Sequence, residues 1–314
     1  MPTVKNYLSL IKFSHTIFAM PFAMIGFFLG MKADPFFAFN YFTSNQPGWH
    51  TTLNATDGNS PLNMTDLIIR FSLIILCMIF ARSAAMSFNR YLDRNFDAKN
   101  PRTAIREIPK GIISAKNALT FTIISCALFL ASCFFINKLC FYLSPVALLV
   151  VLGYSYTKRF TPLCHLILGI GLSLAPIGAY LAVTGAFALL PILFSLTVIF
   201  WVSGFDIIYA LQDEEFDRSN ELYSMPSWLG KSKALRVSEF LHLLSFGCVT
   251  AAGIFGQFGL WYWIGVCFFT GMLIYQHSIV KPNDLSKVNL AFMTANGIAS
   301  VVFAIFVITD LFVH

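Results

Sequence analysis

Two compact acidic patterns stand out in a chain of 314 residues with only 15 Asp and Glu. The first is Asn89-Arg90-Tyr91-Leu92-Asp93-Arg94-Asn95-Phe96-Asp97. Steps of four place Asn89, Asp93 and Asp97 on one face of a helix. Like charges at that spacing oppose helix formation unless a cation sits between them. The second runs from Asp206 through Tyr209 to Asp213 and Asp217, spaced seven and then four, again a single helical face. Oxygen ligands in such sets suit Mg²⁺, which is commonly held by a few carboxylates together with substrate phosphates. The alternative is a pair of solvated helix ends. Asp206 speaks against it, because it lies inside an apolar run, where an ionisable group marks a functional site by default.

Basic residues accompany both patterns. Arg102 and Arg106 follow the first, Arg218 follows the second, and Lys158-Arg159 closes another apolar run. Guanidinium and ammonium groups bind phosphate oxygens well, but Lys and Arg also collect in cytoplasmic loops for reasons of topology. Arg82 precedes Asn89 by seven residues, about two helical turns, and falls on the same face. Facing lipid there would cost several kcal/mol, roughly 3 on insertion scales, so it is expected to face the protein interior. His15 reads as a packing residue. No Ser/His/Asp set, P-loop or Gly-rich dinucleotide motif stands out.

These residues need positioning elements, and composition says what kind. The chain is 57% hydrophobic and 11% charged, with mean hydropathy +0.71. Soluble domains carry about 25% charged residues. A membrane helix needs about 20 apolar residues, and nine such segments can be placed, near 13–31, 67–88, 117–136, 139–156, 163–183, 187–211, 234–255, 260–279 and 288–310. The fold expected is all-α: a polytopic membrane protein of nine transmembrane helices bundled around a central cavity. It forms one domain over 1–314. The long continuous runs exclude a barrel of alternating strands, and the composition excludes a soluble enzyme, a disordered chain and a disulfide scaffold. The seven cysteines read as packing residues, with Cys126, Cys133 and Cys140 spaced to share a helix face. The run near Phe13 lacks a small-residue cleavage site and reads as a retained helix, not a signal peptide.

Charge bias sets the orientation. Alternate loops and the N-terminus hold 17 of the 21 Lys and Arg. The N-terminus and the active-site loops 89–116 and 212–233 are therefore expected in the cytoplasm. Loop 32–66 falls outside; its sequons at Asn54 and Asn63 are the kind that arise by chance in an Asn/Thr-rich stretch, and Trp49 suits a headgroup-level cap. The net charge of +6 follows from the loops and does not imply nucleic-acid binding.

Taken together, the patterns resemble the UbiA family of intramembrane aromatic prenyltransferases, over nearly the whole chain. Asn89, Asp93 and Asp97 resemble the family's first motif, with Arg90 where an acid is usual. Arg102-Thr103 resembles its Arg-Thr, and Tyr154 to Thr161 its Tyr-x-x-x-Lys-Arg-x-Thr segment. Asp206-x-x-Tyr209-Ala210-x-x-Asp213-x-x-x-Asp217 resembles the second motif. The stretches Phe13–Gly26 and Phe216–Pro226 look like the 4-hydroxybenzoate polyprenyltransferase branch, including relatives assigned to the futalosine route to menaquinone.

The resemblance implies Mg²⁺-dependent transfer of a polyprenyl chain from its diphosphate to a ring carbon of an aromatic acid, in ubiquinone or menaquinone biosynthesis. It implies Asn89, Asp93, Asp97, Asp213 and Asp217 as metal ligands. Lys158, Arg159, Arg102, Arg106 and Arg218 would take the diphosphate. Asp206, with Lys158 and Arg159, would be catalytic, and Arg82 and Tyr209 would grip the acceptor. The partners implied are polyprenyl diphosphate and an aromatic acceptor, with no nucleic acid and no obligate protein partner, in a multi-pass enzyme of the inner membrane. The rival readings are another branch of the family (naphthoate, haem or chlorophyll prenylation) and a membrane transporter. A transporter would place its charges near the midplane of inverted repeats.

Overall fold

The computed structural model describes residues 3–11, 18–33 and 64–314. His15, Trp49, the sequon asparagines Asn54 and Asn63 and most of loop 32–66 lie outside the described residues. The chain is all-helical, and seven helices are long and apolar enough to cross a membrane among the described residues. Eight of the nine expected segments return as helices within four residues of their expected bounds; of 13–31, the described helix is Met20–Met31. Two of the expected segments fall short of that standard. Met20–Met31 is brief, and Leu260–Ile279 is diluted by Trp, Tyr, Gln and His. By contacts the chain divides into two compact units, residues 1–16 with 49–156, and 17–48 with 157–314.

The first unit contains α1 (Val4–Leu10), α3 (Met64–Leu92), α4 (Arg94–Lys99), α5 (Ala115–Ile136) and most of α6 (Lys138–Thr157). α3 packs on α5 through small residues, Ser83, Ala84 and Ser87 against a face carrying Ala118 and Thr122. Small side chains let backbones approach, which is how helices associate in lipid. Ser87 Oγ donates to the Ala118 carbonyl at 2.9 Å. The cysteine expectation needs correction. Asn137 ends α5 and its side chain accepts from the Cys140 amide at 2.8 Å, starting α6. Cys140 is therefore on a different helix from Cys126 and Cys133. The cluster holds together all the same, with Cys77 Sγ 3.7 Å from Cys133 Sγ among apolar neighbours.

The second unit contains α2 (Met20–Met31), α7 (Cys164–Thr184), α8 (Leu189–Ala210), α9 (Glu214–Ser219), α10 (Met225–Leu229), α11 (Lys231–Phe255), α12 (Leu260–Ile279) and α13 (Asn296–Val313). Its core is aromatic: Phe22, Trp201, Phe205, Phe269 and Phe303 contact one another at ring separations of 5.1–6.5 Å. Gly26 and Gly30 on α2 meet α7 directly, since a Cβ at Gly26 would stand 2.0 Å from the Pro176 carbonyl oxygen. A buried polar knot ties three helices. Asn296 Oδ1 accepts from Trp201 Nε1 and Gln276 Nε2, both at 2.8 Å, while its Nδ2 donates to the carbonyls of Phe292 and Ala291. Those carbonyls belong to a π-helical turn, Leu290–Ala295, and the Asn296 amide satisfies what the wider turn leaves open. Buried Asp310 accepts from the amides of Gly259 and Tyr262, capping the N-terminus of α12 from the far end of the chain.

Candidate active site

Each acidic pattern forms at the end of a long helix, and the two ends are built alike. α3 stops at Leu92, Asp93 sits at φ −89°, ψ 5°, and a six-residue helix, α4, follows. α8 passes through a 3₁₀ turn, Leu211–Asp213, where Asp213 sits at φ −104°, ψ 5°, and six-residue α9 follows. Both read Asp-x-x-Phe-Asp, and the last Asp of each is buried: Asp97 and Asp217. The helical hydrogen bonds continue across the first step, Asp93 N to Asn89 O and Asp97 N to Asp93 O at 2.9 and 2.8 Å. The single face expected for Asn89, Asp93 and Asp97 is kept, and Asn89 Nδ2 donates to Asp93 Oδ2 at 3.1 Å. The second face is imperfect. A 3₁₀ turn advances about 120° per residue instead of about 100°, so Asp206 is rotated away from Asp213 and Asp217.

Each buried carboxylate has its own base, as burial of a charge requires. Arg106 Nη1 stands 2.6 Å from Asp97 Oδ1. Lys158 Nζ stands 2.7 Å from Asp217 Oδ1, with the Asp217 side chain fully buried and that of Lys158 35% exposed. Arg106 and Lys158, expected at the diphosphate, thus hold the acidic segments. The intervening turns serve the same geometry. Asn100 Oδ1 accepts from the Arg102 amide and Thr103 Oγ1 donates to the Asp97 carbonyl. Ser224 and Ser227 form a reciprocal cap on α10. The Tyr223 amide donates to the Lys158 carbonyl at 2.7 Å.

The other expected residues are more scattered. Arg159 lies half-buried in the turn before α7, and Arg82 lies half-buried on α3, two turns before Asn89. Tyr209 stacks on Phe292 with ring centroids 4.2 Å apart. Arg218 is exposed and pairs with Glu214 at 2.8 Å, one turn away on α9. That is an ordinary surface pair. Asp206 is 2.7 Å from His165, a residue the sequence reading passed over because a lone His carries no spacing signal.

Among the described residues no three His, Cys, Asp or Glu side chains converge closely enough to chelate a metal unaided. Asp97 Oδ2 is among the buried carboxylate oxygens with no hydrogen bond among the described residues. The donor set is all oxygen and incomplete, which fits Mg²⁺ sharing its shell with phosphate oxygens and water. A surface pocket of about 390 Å³ lies beside the second segment, lined in part by Glu214, Gly230 and Lys231.

Long apolar helices, two of which end in Asp-x-x-Phe-Asp turns with a base on the last carboxylate, describe a helical membrane protein with two like acidic segments. The sequence model of the UbiA prenyltransferase family matches residues 55–298, through both units, and the chain belongs to that family. It is a prenyltransferase. Among its relatives is the 4-hydroxybenzoate octaprenyltransferase of Nitrosomonas europaea, 31% identical over 76% of this chain and 82% of that protein. The enzyme of the same description from Aromatoleum aromaticum is 30% identical over 81% and 84%. Among solved structures, a UbiA homolog from Aeropyrum pernix K1 in its apo form is similar at TM-score 0.73 and 27% identity, over 95% of this chain and 97% of that one. A UbiA homolog from Archaeoglobus fulgidus bound to GPP and Mg²⁺ shares the fold at TM-score 0.64 and 20% identity, over 98% and 100%.

Proposed function

We propose that this chain transfers a polyprenyl group from polyprenyl diphosphate to a ring carbon of 4-hydroxybenzoate or a related quinone precursor. The observation that carries the proposal is the repeated turn, with its two buried carboxylates each paired with a base. The relatives named for 4-hydroxybenzoate support the choice of acceptor.

Asn89, Asp93, Asp97, Asp213 and Asp217 would hold Mg²⁺, which when bound neutralises the diphosphate and makes it a better leaving group. The protein's own groups do the rest. Arg106 and Lys158 pair with Asp97 and Asp217 and hold the acidic segments in place, and Arg102 and Arg159 add positive charge for the diphosphate oxygens. As the carbon–oxygen bond to the diphosphate breaks, the departing group takes the electron pair, and the allylic carbon forms its new bond to the ring. Aromatic side chains stabilise the developing cation by cation–π contact, and the apolar surroundings keep out the water that would capture it. Asp206 receives the proton released by the acceptor. Arg82 pairs with the acceptor's carboxylate, and Tyr209 contacts its ring. The loop charges favour an enzyme of the inner membrane with these groups on the cytoplasmic side.

The test is a prenyl-transfer assay in membranes with geranyl or a longer allylic diphosphate, 4-hydroxybenzoate and Mg²⁺. A prenylated aromatic acid is expected, absent without Mg²⁺ and absent from the Asp93→Ala variant. Consumption of the diphosphate without that product would keep prenyl transfer and reject this acceptor.

A further inference from the structure

His165 lies on the first turn of α7, with its side chain only 4% exposed. Both ring nitrogens are engaged. Nδ1 is 2.7 Å from Asp206 Oδ2. Nε2 is 3.2 Å from the backbone nitrogen of Met225, the first residue of α10. A backbone N–H can only donate, so Nε2 must offer its lone pair. The ring's hydrogen is then on Nδ1, and it points at the Asp206 carboxylate. The imidazole is neutral, with its tautomer set by the main chain. A buried His held in this way orients the group it faces, in the manner of outer partners around metal ligands and catalytic bases.

The surroundings fix the ring further. Ser203 Oγ donates to the carbonyls of His165 and Ile199 at 3.1 and 2.6 Å. The chain between α9 and α10 is fastened to the end of α6 by the Tyr223–Lys158 backbone bond and to the start of α7 by Cys164 Sγ, 3.6 Å from the Tyr223 carbonyl. Asp206 Oδ1 accepts no hydrogen bond among the described residues, and the carboxylate side chain is 23% exposed.

We infer that His165 is a positioning residue for Asp206: its Nδ1–H anchors Oδ2, fixes the carboxylate's rotation and leaves Oδ1 to receive the proton of the aromatic acceptor. This rests on the reading of Asp206 given above. The proton moves from acceptor to Oδ1 as the new carbon–carbon bond forms and diphosphate departs. His165 gives up no proton, because Nε2 already serves the Met225 amide. The imidazole therefore affects turnover of the acceptor and leaves capture of the prenyl diphosphate alone.

Two substitutions separate positioning from packing. The amide of His165→Asn carries an N–H near the place of Nδ1–H, whereas that of His165→Gln reaches the place of Nε2. Steady-state prenylation of 4-hydroxybenzoate by the full chain in membranes is expected to show kcat lowered about tenfold or more in His165→Gln, with KM for the diphosphate unchanged. His165→Asn is expected to recover most of that loss. Equal activity of the two variants, whether high or low, would overturn the inference, as would a rise in the diphosphate KM with kcat intact. Nitrogen-15 histidine spectra of the resting protein supply a readout independent of turnover. The resonance lost in both variants should be that of a neutral ring protonated on Nδ1, and a ring protonated on Nε2 would overturn the assignment. Failure of the underlying reading looks different: the wild-type chain makes no product, or Asp206→Asn turns over normally.

Discussion

At the residue scale the site is decided by how charges survive burial. Asp217 is wholly enclosed and would be expelled or neutralised without Lys158 at 2.7 Å. Removing one partner of a buried pair costs about 3–5 kcal/mol, because the other charge is left stranded. Lys158 is one-third exposed, so the lower end of that range applies. Lys158→Met is therefore expected to lower the thermal midpoint in detergent by several degrees. Adding Asp217→Asn should restore part of the loss, since the stranded charge is gone. A double variant as unstable as Lys158→Met alone would show that the pair is not what steadies this turn. The carboxylates themselves were legible from spacing and scarcity. Their bases were not: Lys158 and Asp217 stand 59 positions apart, and only the fold says which of many loop cations meets which acid. His165 was hidden for the same reason, because its partners Asp206 and Met225 are 41 and 60 residues away.

At the element scale the apolar runs told nearly everything about where helices lie and little about how they touch. Length and hydropathy locate α3, α5 and α8 within a few residues because lipid admits only backbone that is internally hydrogen-bonded. The same runs do not show the interruptions. The Asn137 break, which moves Cys140 to a new helix, and the 3₁₀ turn at Asp213 both depend on local hydrogen bonds that hydropathy does not encode. The recurrence of Asp-x-x-Phe-Asp was present in the sequence, as was the four-residue spacing of Gly26 and Gly30. That glycine pair does structural work: at Gly26 the α7 backbone occupies the space a side chain would need, and at Gly30 the Val183 side chain does. Gly26→Ala is expected to push α2 off α7 and lower the thermal midpoint markedly. Gly178→Ala, on α7 with nothing within 4 Å of its Cβ position, is the matched control. It should be neutral or raise stability by up to about 1 kcal/mol through helix propensity. Similar losses in both variants would place the cost in the helix backbone and not in the α2–α7 contact.

At the scale of the whole molecule, the proposed reaction has Mg²⁺ share its shell between carboxylates of the chain and oxygens of the diphosphate. On that proposal Mg²⁺ binds weakly by itself and more tightly together with a prenyl diphosphate. A ligand that binds only the folded state stabilises it by about 2.7 kcal/mol at one hundred times its dissociation constant. Thermal unfolding of the detergent-purified chain should accordingly show almost no shift with Mg²⁺ and a clear upward shift with Mg²⁺ plus a non-hydrolysable geranyl diphosphate analogue. The analogue with a chelator present should give much less. Asp93→Ala and Asp213→Ala should each abolish the joint shift, since each removes an oxygen donor from one of the two acidic segments. A full shift with Mg²⁺ alone would mean that the carboxylates form a self-sufficient site. A shift that survives either substitution would mean that the acidic segment concerned takes no part in holding the diphosphate.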